Sequence, residues 1–352
     1  MTDPKSSRYA ATLPELEAVV KQLGEPAFRA KQIHQGLWQQ RKPLETLSTI
    51  NVQLRDELAA LLPLDLVEIL ERTTLGGMTA KWLWQVAGGD QVETVLMQSA
   101  DRATVCVSSQ AGCAMGCTFC ATGQAGFERH LRASEIVEQV LRAQHTCQQR
   151  VSNVVFMGMG EPLANLDEVE PALTSLQDGL GISARKIVVS TVGVVPGMDR
   201  LRAFPLPVTL AVSLHAPDDA LREQLVPLNR RYPIADILDA ARGYVLAKGR
   251  RVTFEYACIS GINDHVHLAD ALANKLLGFP GGAHVNLIPL NATTGFTGRP
   301  PSPERIATFA ERLTDRGINA TVRRNRGTDI DAACGQLRMR TSAPVEMRES
   351  KA

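Results

Sequence analysis

From about residue 100 onward the sequence alternates short β-rich runs with helical stretches, and this alternation limits the folds that the chain can adopt. The β-rich runs lie at residues 153–157, 186–190, 208–213, 251–259, 284–289 and 319–322. Helical stretches include 134–144, where Ser134 is a candidate N-cap, and 303–316. Strands that alternate with helices predict a parallel sheet. The number of units favours an α/β fold with a partial or full (β/α) barrel over an open doubly wound sheet, although periodicity alone leaves closure open.

The region before these units has a different pattern. Residues 13–62 show apolar positions at helical spacing, punctuated by Pro43 and Pro63. Residues 81–86 and 91–97 alternate apolar and polar side chains around a Gly-Gly-Asp turn, which predicts a β-hairpin. The expected organisation is therefore a helical accessory domain at 1–66, a linking β-hairpin at 67–98, a core at 99–342 and a tail at 343–352.

The composition is that of a globular chain with a sizeable core. Of its 352 residues, 44% are apolar and 21% charged, and the formal net charge is +1. The sequence contains no run of about 18 apolar residues, so it predicts no membrane-spanning helix. The N-terminus lacks the apolar segment of a secretion signal, so we expect a cytoplasmic, monomeric protein without membrane contact. Any contact with nucleic acid must come from local basic patches, because the whole chain is not basic.

Three of the seven cysteines fall within eight residues, in the sequence Cys113-Ala-Met-Gly-Cys117-Thr-Phe-Cys120. Such clustering is a poor disulfide framework and is typical of metal binding or catalysis. Three thiolates at this spacing can ligate three irons of a [4Fe-4S] cubane, which leaves the fourth iron open for another ligand. Gly112 and Gly116 permit the sharp turns that bring the thiols together.

Two other interpretations of these cysteines remain. A structural zinc site needs four closed ligands, usually from two Cys pairs, and the sequence has no second pair. His130 or His145 could supply the fourth ligand, but neither spacing is typical. The three cysteines could also be unrelated buried side chains.

The CxxxCxxC motif with an aromatic residue before its last cysteine resembles the radical S-adenosylmethionine (SAM) superfamily. The resemblance implies that the open iron chelates SAM and that Gly160 and Glu161, after the strand at 153–157, bind its amino group. It also implies further SAM-binding positions at the ends of the following strands, namely Ser190, Ser213, Leu214, His215 and Asn291. The carboxyl ends of the strands form the catalytic face of a β/α barrel. Taken singly, each Ser or Asn is better explained by turn capping, whereas their series on one rim favours a functional role.

Cys334 lies in a basic, glycine-containing segment near the C-terminus. Residues 321–340 hold five arginines and two aspartates, and arginine is suited to binding phosphate oxygens. Gly327 and Gly335 indicate a loop, so Cys334 is expected to be reachable by substrate rather than part of the core. Cys106 precedes the cluster motif in a strand that runs towards it, and a buried strand cysteine is the equally weighted alternative.

Together these segments resemble the adenosine-C2 methyltransferases that act on large-subunit ribosomal RNA. The stretches that carry the resemblance are 28–33, 106–132, 156–163, 189–196, 213–217, 287–291 and 324–337. The resemblance implies 23S ribosomal RNA as substrate, a [4Fe-4S] cluster and SAM as cofactors, and a flavodoxin or ferredoxin as electron donor. The sequence leaves open whether transfer RNA is a second substrate.

The resemblance also implies the roles of three residues. Cys334 is methylated by one SAM, and its methyl carbon is then joined to adenine C2 by radical chemistry that uses a second SAM. Glu93 removes the C2 proton, and the thiol of Cys106 attacks the Cys334 sulfur, which releases the product and leaves a disulfide. From its position in a hairpin alone, Glu93 would be expected to be an exposed strand residue. Cys147 and Cys258 match no catalytic position and are interpreted as structural.

Three rival functions are compatible with the same residues. The first is methylation of C8 of the same adenosine, which uses the same cluster and paired cysteines. The second is a zinc-containing RNA-binding protein without catalysis, which would be colourless rather than brown. The third is a radical SAM enzyme acting on protein or small molecules, for which Cys334 would be dispensable.

Overall fold

The computed structural model describes residues 7–323, 327 and 330–337. The expected tail at 343–352 lies outside the described residues, as does part of the stretch 324–337. Within the described residues the α-helices are α1 (Leu13–Gln22), α2 (Phe28–His34), α3 (Val52–Leu61), α4 (Ala121–Ala125), α5 (Ala133–Thr146), α6 (Leu166–Thr174), α7 (Val195–Ala203), α8 (Asp219–Leu225), α9 (Ile234–Lys248), α10 (Val266–Leu276) and α11 (Pro303–Asp315). The strands are β1 (Val67–Thr73), β2 (Thr79–Gln85), β3 (Gln91–Ser99), β4 (Arg102–Cys106), β5 (Gln110–Gly112), β6 (Phe127–His130), β7 (Val151–Phe156), β8 (Ile187–Thr191), β9 (Thr209–Ser213), β10 (Thr253–Cys258), β11 (His284–Pro289) and β12 (Asn319–Val322).

One ten-stranded sheet organises the molecule, in the order β1-β2-β3-β4-β7-β8-β9-β10-β11-β12. Strands β1 to β4 pair antiparallel with one another. Each later pair of neighbouring strands, from the pair β4 and β7 to the pair β11 and β12, is parallel. The edge strands β1 and β12 do not pair with each other in the described part of the chain. The predicted α/β fold with a parallel sheet is therefore confirmed as an open, partial barrel, and no closed barrel is formed.

The predicted hairpin forms between β2 and β3, which pair without interruption from Thr79↔Met97 to Gln85↔Gln91. It does not stand apart from the core, because β3 pairs with β4 and so places the hairpin at one edge of the same sheet. Ahead of it, α1 begins with a capping box in which Thr12 and Glu15 bond each other's backbone amides. The boundaries of the domains remain a prediction.

Helix α5 begins at Ala133, and the predicted N-cap Ser134 is wrong. Two carboxylates accept hydrogen bonds from the first backbone amides of this helix. Glu135 accepts from the Arg132 amide at 2.7 Å, and Glu168 accepts from the Ala133 amide at 2.7 Å. Ser134 is itself buried within the first turn. These two amides at the start of the helix are thus satisfied by carboxylates. One of the carboxylates comes from α6, and the local sequence around Ser134 cannot reveal that contact.

The parallel strands β7–β11 present their apolar side chains to the helices that cover the outside of the sheet. Fully buried examples are Val154, Val189, Leu210, Phe254 and Leu287. Their opposite faces line the inside of the partial barrel, where the carboxyl ends of the strands converge. No helix in the portion of the chain that the structure describes has the length and apolar character needed to cross a membrane.

Candidate active site

The cysteine motif lies in a tight loop that follows β5. The amide of Cys113 donates to the carbonyl of Gly126 at 2.6 Å, and a Cβ at Gly112 would lie only 2.0 Å from that carbonyl oxygen. Gly112 and Gly116 both have positive φ, +72° and +65°. The two glycines therefore allow the sharp turns expected from the sequence, and the backbone approach excludes any side chain at Gly112.

The three thiols of the motif are close enough to interact electrostatically; Cys117 is buried, and Cys113 and Cys120 are partly buried. Burial raises the pKa of Cys113 to about 12 and that of Cys117 well above its ordinary value, and the neighbouring Cys120 raises both further. Bound iron would reverse this effect, because its positive charge favours the thiolate. Among the described residues, no three His, Cys, Asp or Glu side chains are grouped around a single ion site. A cubane does not require such a grouping, since each thiolate binds a different iron.

Beside this loop a cavity opens at the carboxyl ends of the strands, with about 900 Å³ of space that includes its opening to solvent. The structure brings most of the predicted positions together on its wall: Cys117, Cys120, Gly160, Glu161, Ser190, Ser213, His215, Asn291 and Cys334. They come from six separate segments of the chain, so this convergence favours a common binding site over isolated turn caps.

Gly160 and Glu161 are fixed by Gln110, the first residue of β5. The amide of Glu161 donates to Oε1 of Gln110 at 2.7 Å. Gly160 has φ +98°, and a Cβ there would lie 2.5 Å from the Cβ of Gln110. A glycine at position 160 is thus required both by backbone conformation and by close packing.

The carboxylate of Glu161 is buried and accepts backbone hydrogen bonds from two directions. Its Oε1 accepts from the amide of Leu163 at 3.0 Å, and its Oε2 accepts from the amide of Val192 at 2.9 Å. Burial raises its pKa to about 7 even with these donors present. A bound ammonium group would favour the charged carboxylate, so the position fits the amino group of SAM.

His215 is held as a neutral ring whose tautomer follows from its contacts. The amide of Ala257 donates to Nδ1 at 3.0 Å, so the ring proton lies on Nε2. Burial lowers the pKa of His215 to about 3. The ring of Phe119 packs edge-on against it with centroids 4.9 Å apart. His215 therefore offers the cavity a hydrogen-bond donor without a positive charge.

Leu214 is the one predicted SAM-binding residue that does not line the cavity. Its side chain is buried, its amide donates to the carbonyl of Glu255, and its carbonyl accepts from Nε of Arg222 at 3.0 Å. Arg222 is itself buried and donates also to the carbonyls of Val192 and Ser213. It thereby ties the ends of β8 and β9 together, and the role of Leu214 remains a prediction.

The segment that carries Cys334 is attached to the cluster loop and to the end of β11. Nδ2 of Asn291 donates to the carbonyl of Cys334 at 2.9 Å. The amide of Ala121 donates to the carbonyl of Gly335, and Oγ1 of Thr122 donates to the carbonyl of Leu337, both at 2.9 Å. These bonds place a partly buried Cys334 at the cavity wall next to the cysteine motif, and they give Asn291 a contact that its predicted cofactor role did not include.

Cys106 and Cys334 meet in a second cavity that extends from the first. Cys334 lines both cavities, whereas Cys106 lines the second alone. Burial raises the pKa of Cys106 to about 12, while the positive charge of Arg323 opposes this rise. Arg323 also lines both cavities, and its pKa is raised chiefly by Cys334. Both cysteines are free thiols in this structure, so the disulfide expected to form during the reaction is not present.

Glu93 is buried, so the exposure expected from its position in a hairpin is wrong. Its Oε1 lies 3.0 Å from Nζ of Lys81, which is equally buried. In the sheet Lys81 pairs with Val95, and Val95 pairs with Cys106. Directly paired residues share a face, and Glu93, two residues before Val95, shares it too. The register therefore places Glu93 and Cys106 on the same face of the sheet.

Three charged residues of the site were not found from the sequence: Arg222, Glu255 and Arg323. Glu255 lines the first cavity, and its Oε2 has no hydrogen-bond partner among the described residues although it is buried. The acidic Glu255 within the largely apolar β10 could have indicated a functional position from the sequence. Arg323 follows the last residue of β12 and was counted only as part of a basic segment. Arg222 lies in α8 with no distinguishing pattern.

The remaining two cysteines lie away from both cavities. Cys147 is buried and its thiol contacts Oε1 of Gln98 at 3.1 Å, and Cys258 is buried in β10. Neither lines either cavity. Their positions are consistent with the structural role expected of them.

Comparisons with known proteins identify the family to which the chain belongs. The model of the Radical SAM superfamily matches residues 107–272. A protein of Frankia alni named "Probable dual-specificity RNA methyltransferase RlmN" is 50% identical, over 95% of this chain and 83% of its own length. A protein of the same name from Chloroflexus aurantiacus is 47% identical, over 97% of this chain and 95% of its own. The crystal structure of a radical SAM methyltransferase from Sphaerobacter thermophilus superposes with a TM-score of 0.89 at 47% identity, covering 95% of this chain and 99% of that one.

Proposed function

Because this chain belongs to the radical SAM family of dual-specificity RNA methyltransferases named RlmN, we propose that it methylates C2 of an adenosine in 23S ribosomal RNA through S-methylated Cys334. We also propose transfer RNA as a second substrate, and the dual specificity in the relatives' name supports a second substrate without stating which RNA it is. The observation that carries the proposal is that Cys334 lies at the junction of two cavities, one with the predicted SAM-binding positions and one with Cys106.

The radical SAM family uses a [4Fe-4S] cluster and SAM, and the residues of the cysteine loop and of the first cavity fit both. Cys113, Cys117 and Cys120 would hold the cluster, and Glu161 would receive the amino group of SAM. On one-electron reduction the cluster and its bound SAM supply a radical that can remove a hydrogen atom from a methyl group. A flavodoxin or ferredoxin is proposed as the source of that electron.

The chain's own residues account for the transfer and release of the methyl carbon. Adenine C2 lies between two ring nitrogens and is too electron-poor to attack a methyl group, so Cys334 carries the carbon to it. Glu93 takes the proton from C2. The thiolate of Cys106 then attacks the sulfur of Cys334, and a disulfide forms. The bond between sulfur and the transferred carbon breaks, and the carbon keeps the electron pair and takes up a proton to become the methyl group. The unpaired electron that the radical step leaves on the adduct would pass back to the oxidised cluster.

Arg323 supports this release step electrostatically. Cys106 is a poor nucleophile as a buried thiol, because only the thiolate attacks. Arg323 lines the second cavity together with both cysteines, and its positive charge favours the thiolate of Cys106. We propose that it keeps Cys106 competent for exchange.

The test is anaerobic reconstitution with iron, sulfide and SAM, followed by mass spectrometry of nucleosides from a 23S RNA fragment and from transfer RNA. The expected product is 2-methyladenosine in the 23S fragment. Formation of 8-methyladenosine would assign the chain to the C8 activity instead, and a colourless protein that binds zinc would contradict the proposal altogether. Gel filtration and cell fractionation test the monomeric state and the cytoplasmic location that we also propose.

A further inference from the structure

We propose that the second cavity is the entry channel for a low-molecular-weight anionic thiol, which reduces the Cys106–Cys334 disulfide after each methyl transfer. The inference rests on the proposed function, because that disulfide is a product of the release step. It assigns a ligand class to the second cavity and a role to the part that extends along β4 beyond the two cysteines, to which the methyl transfer gives none.

The cavity follows the inner face of the sheet along β4. Alternate residues of this strand line it, from Arg102 through Thr104 to Cys106. At about 3.3 Å per residue, Arg102 and Cys106 are separated by about 13 Å along the strand. The cavity therefore leads from the sulfur atoms at the carboxyl end of β4 to the opposite end of the sheet.

The described side chains do not fill this part of the barrel interior. In a closed β/α barrel, inward-facing residues are packed in layers and buried. Here Met97, Thr104, Asn153, Val155 and Val188 all point into the cavity and are only partly buried. The cavity comprises about 1300 Å³ of space, which includes its opening to solvent. A molecule of a few heavy atoms can therefore approach the two cysteines from this side.

The first cavity is unsuited to the same task. It is lined by Cys334 but not by Cys106, and it holds the predicted SAM-binding positions. With cofactor and adenine in place, that side of Cys334 would be covered. The second cavity reaches both sulfur atoms without crossing the site of methyl transfer.

The depth of the sulfur atoms decides the size of the reductant. Cys106 is only 6% exposed. In thiol–disulfide exchange the attacking sulfur must contact one sulfur of the disulfide. The first thiolate forms a mixed disulfide and releases one cysteine, and a second thiol then releases the other cysteine as the reductant becomes oxidised. A protein reductant cannot carry its own thiol through this channel, whereas a small thiol can.

The charge of the channel decides the kind of thiol. Its described lining includes Arg102 at the exposed end and Arg323 near the sulfur atoms, and it includes no carboxylate. Asp101, in the turn beside the exposed end, is bonded to Ser99 and is not part of the lining. Two fixed cations attract an anionic thiol, such as one that bears a carboxylate or a sulfonate.

The experiment measures reduction of the disulfide apart from methylation. The full-length protein is oxidised anaerobically with diamide, and the Cys106–Cys334 bond is verified by peptide mass spectrometry. Its reduction is then timed with 2-mercaptoethanesulfonate, 2-mercaptoethanol and cysteamine, with rates corrected for the thiolate fraction of each. Thioredoxin serves as the protein reductant for comparison.

Two variants examine the channel, each with a matched control at an exposed position. Thr104→Trp should slow all three small thiols at least tenfold by filling the channel, while Thr308→Trp should not. Arg102→Glu should reverse the order of rates from sulfonate faster to cysteamine faster at low ionic strength, while Arg230→Glu should not. Arg102 is exposed, so this variant tests the charge even if Thr104→Trp fails to fold.

The inference is overturned if Thr104→Trp and Arg102→Glu are reduced like the unmodified protein, or if thioredoxin reduces the bond faster than the small thiols. In those cases the disulfide still forms and the proposed function stands. If oxidation never joins Cys106 to Cys334, both the release step and this inference fail together.

Discussion

Nζ of Lys81 lies 3.0 Å from Oε1 of Glu93 and 3.1 Å from the carbonyl oxygen of Asp331. The two charged side chains are each only 8% exposed. One buried ammonium group thus joins β2, the proposed base on β3 and the segment that leads to Cys334. Because a buried charge needs a partner, this contact positions Glu93 and also stabilises the fold.

Replacing Lys81 by Met should lower the free energy of unfolding by about 3–5 kcal/mol, because it removes an ammonium group that lies 3.0 Å from the buried carboxylate of Glu93. Adding Glu93→Gln should recover part of that loss, since the buried carboxylate is then removed as well. Urea denaturation of the single and double variants measures both effects, with the exposed Lys21→Met as control. A loss below about 1 kcal/mol in Lys81→Met would show that the pair contributes little.

Replacing each of the two cysteines of the second cavity should block the reaction at a different step. Cys334→Ala should abolish methyl transfer but leave the iron–sulfur chromophore intact, because the cluster ligands lie in another loop. Cys106→Ala should accumulate a covalent RNA–protein adduct, since nothing then attacks the Cys334 sulfur. Denaturing gels and nucleoside analysis measure these outcomes, and Cys147→Ala is the control thiol. Normal methylation by Cys334→Ala would refute the covalent scheme.

The sequence predicted the parallel sheet and most of the site, because both depend on local patterns. Alternating strands and helices place the ends of successive strands on one rim, so Ser190, Ser213 and Asn291 could be grouped from the order of the strands alone. The spacing of the three clustered cysteines likewise fixes their proximity within a single loop. In these cases the residues that matter are near each other in sequence or occupy equivalent positions in repeated units.

The features that escaped prediction depend on contacts between distant segments. Burial of Glu93 follows from the register of β2, β3 and β4 and from the segment around Asp331, which is about 240 residues away. The N-cap of α5 was misplaced because its amides are satisfied partly by Glu168 of the next helix. Arg222 binds carbonyl groups of two other loops, a function that no pattern within α8 could indicate.

Gly160→Ala should weaken SAM binding at least tenfold while cluster content is retained. The new Cβ would lie 2.5 Å from the Cβ of Gln110, so the backbone must move, and with it the adjacent Glu161. The matched control is Gly24→Ala, which also has positive φ (+74°) but no atom within 4 Å of the added Cβ. Both variants incur the strain of a left-handed backbone, about 1–2 kcal/mol, so only the difference in SAM affinity reports the packing. Equilibrium dialysis with labelled SAM measures it, and equal affinities in the two variants would contradict the assignment.

Glu138 should make the free energy of unfolding fall as the pH rises from about 4.5 to about 7. Its carboxylate accepts hydrogen bonds from the amides of Asp65 at 2.7 Å and Leu66 at 3.2 Å, yet burial raises its pKa to about 7. Between the ordinary carboxyl pKa of about 4.3 and this raised value, the folded protein binds more protons than the unfolded chain, so its stability falls with rising pH. The loss reaches at most about 4 kcal/mol and is nearly complete about one pH unit above the raised pKa, because each pKa unit corresponds to about 1.4 kcal/mol. Glu138→Gln removes this titration. The free energy of unfolding of the variant, relative to that of the unmodified protein, should therefore increase across that pH range in urea denaturation of the apoprotein. Parallel stability curves for the two proteins from pH 5 to pH 8 would mean that the carboxyl group titrates normally.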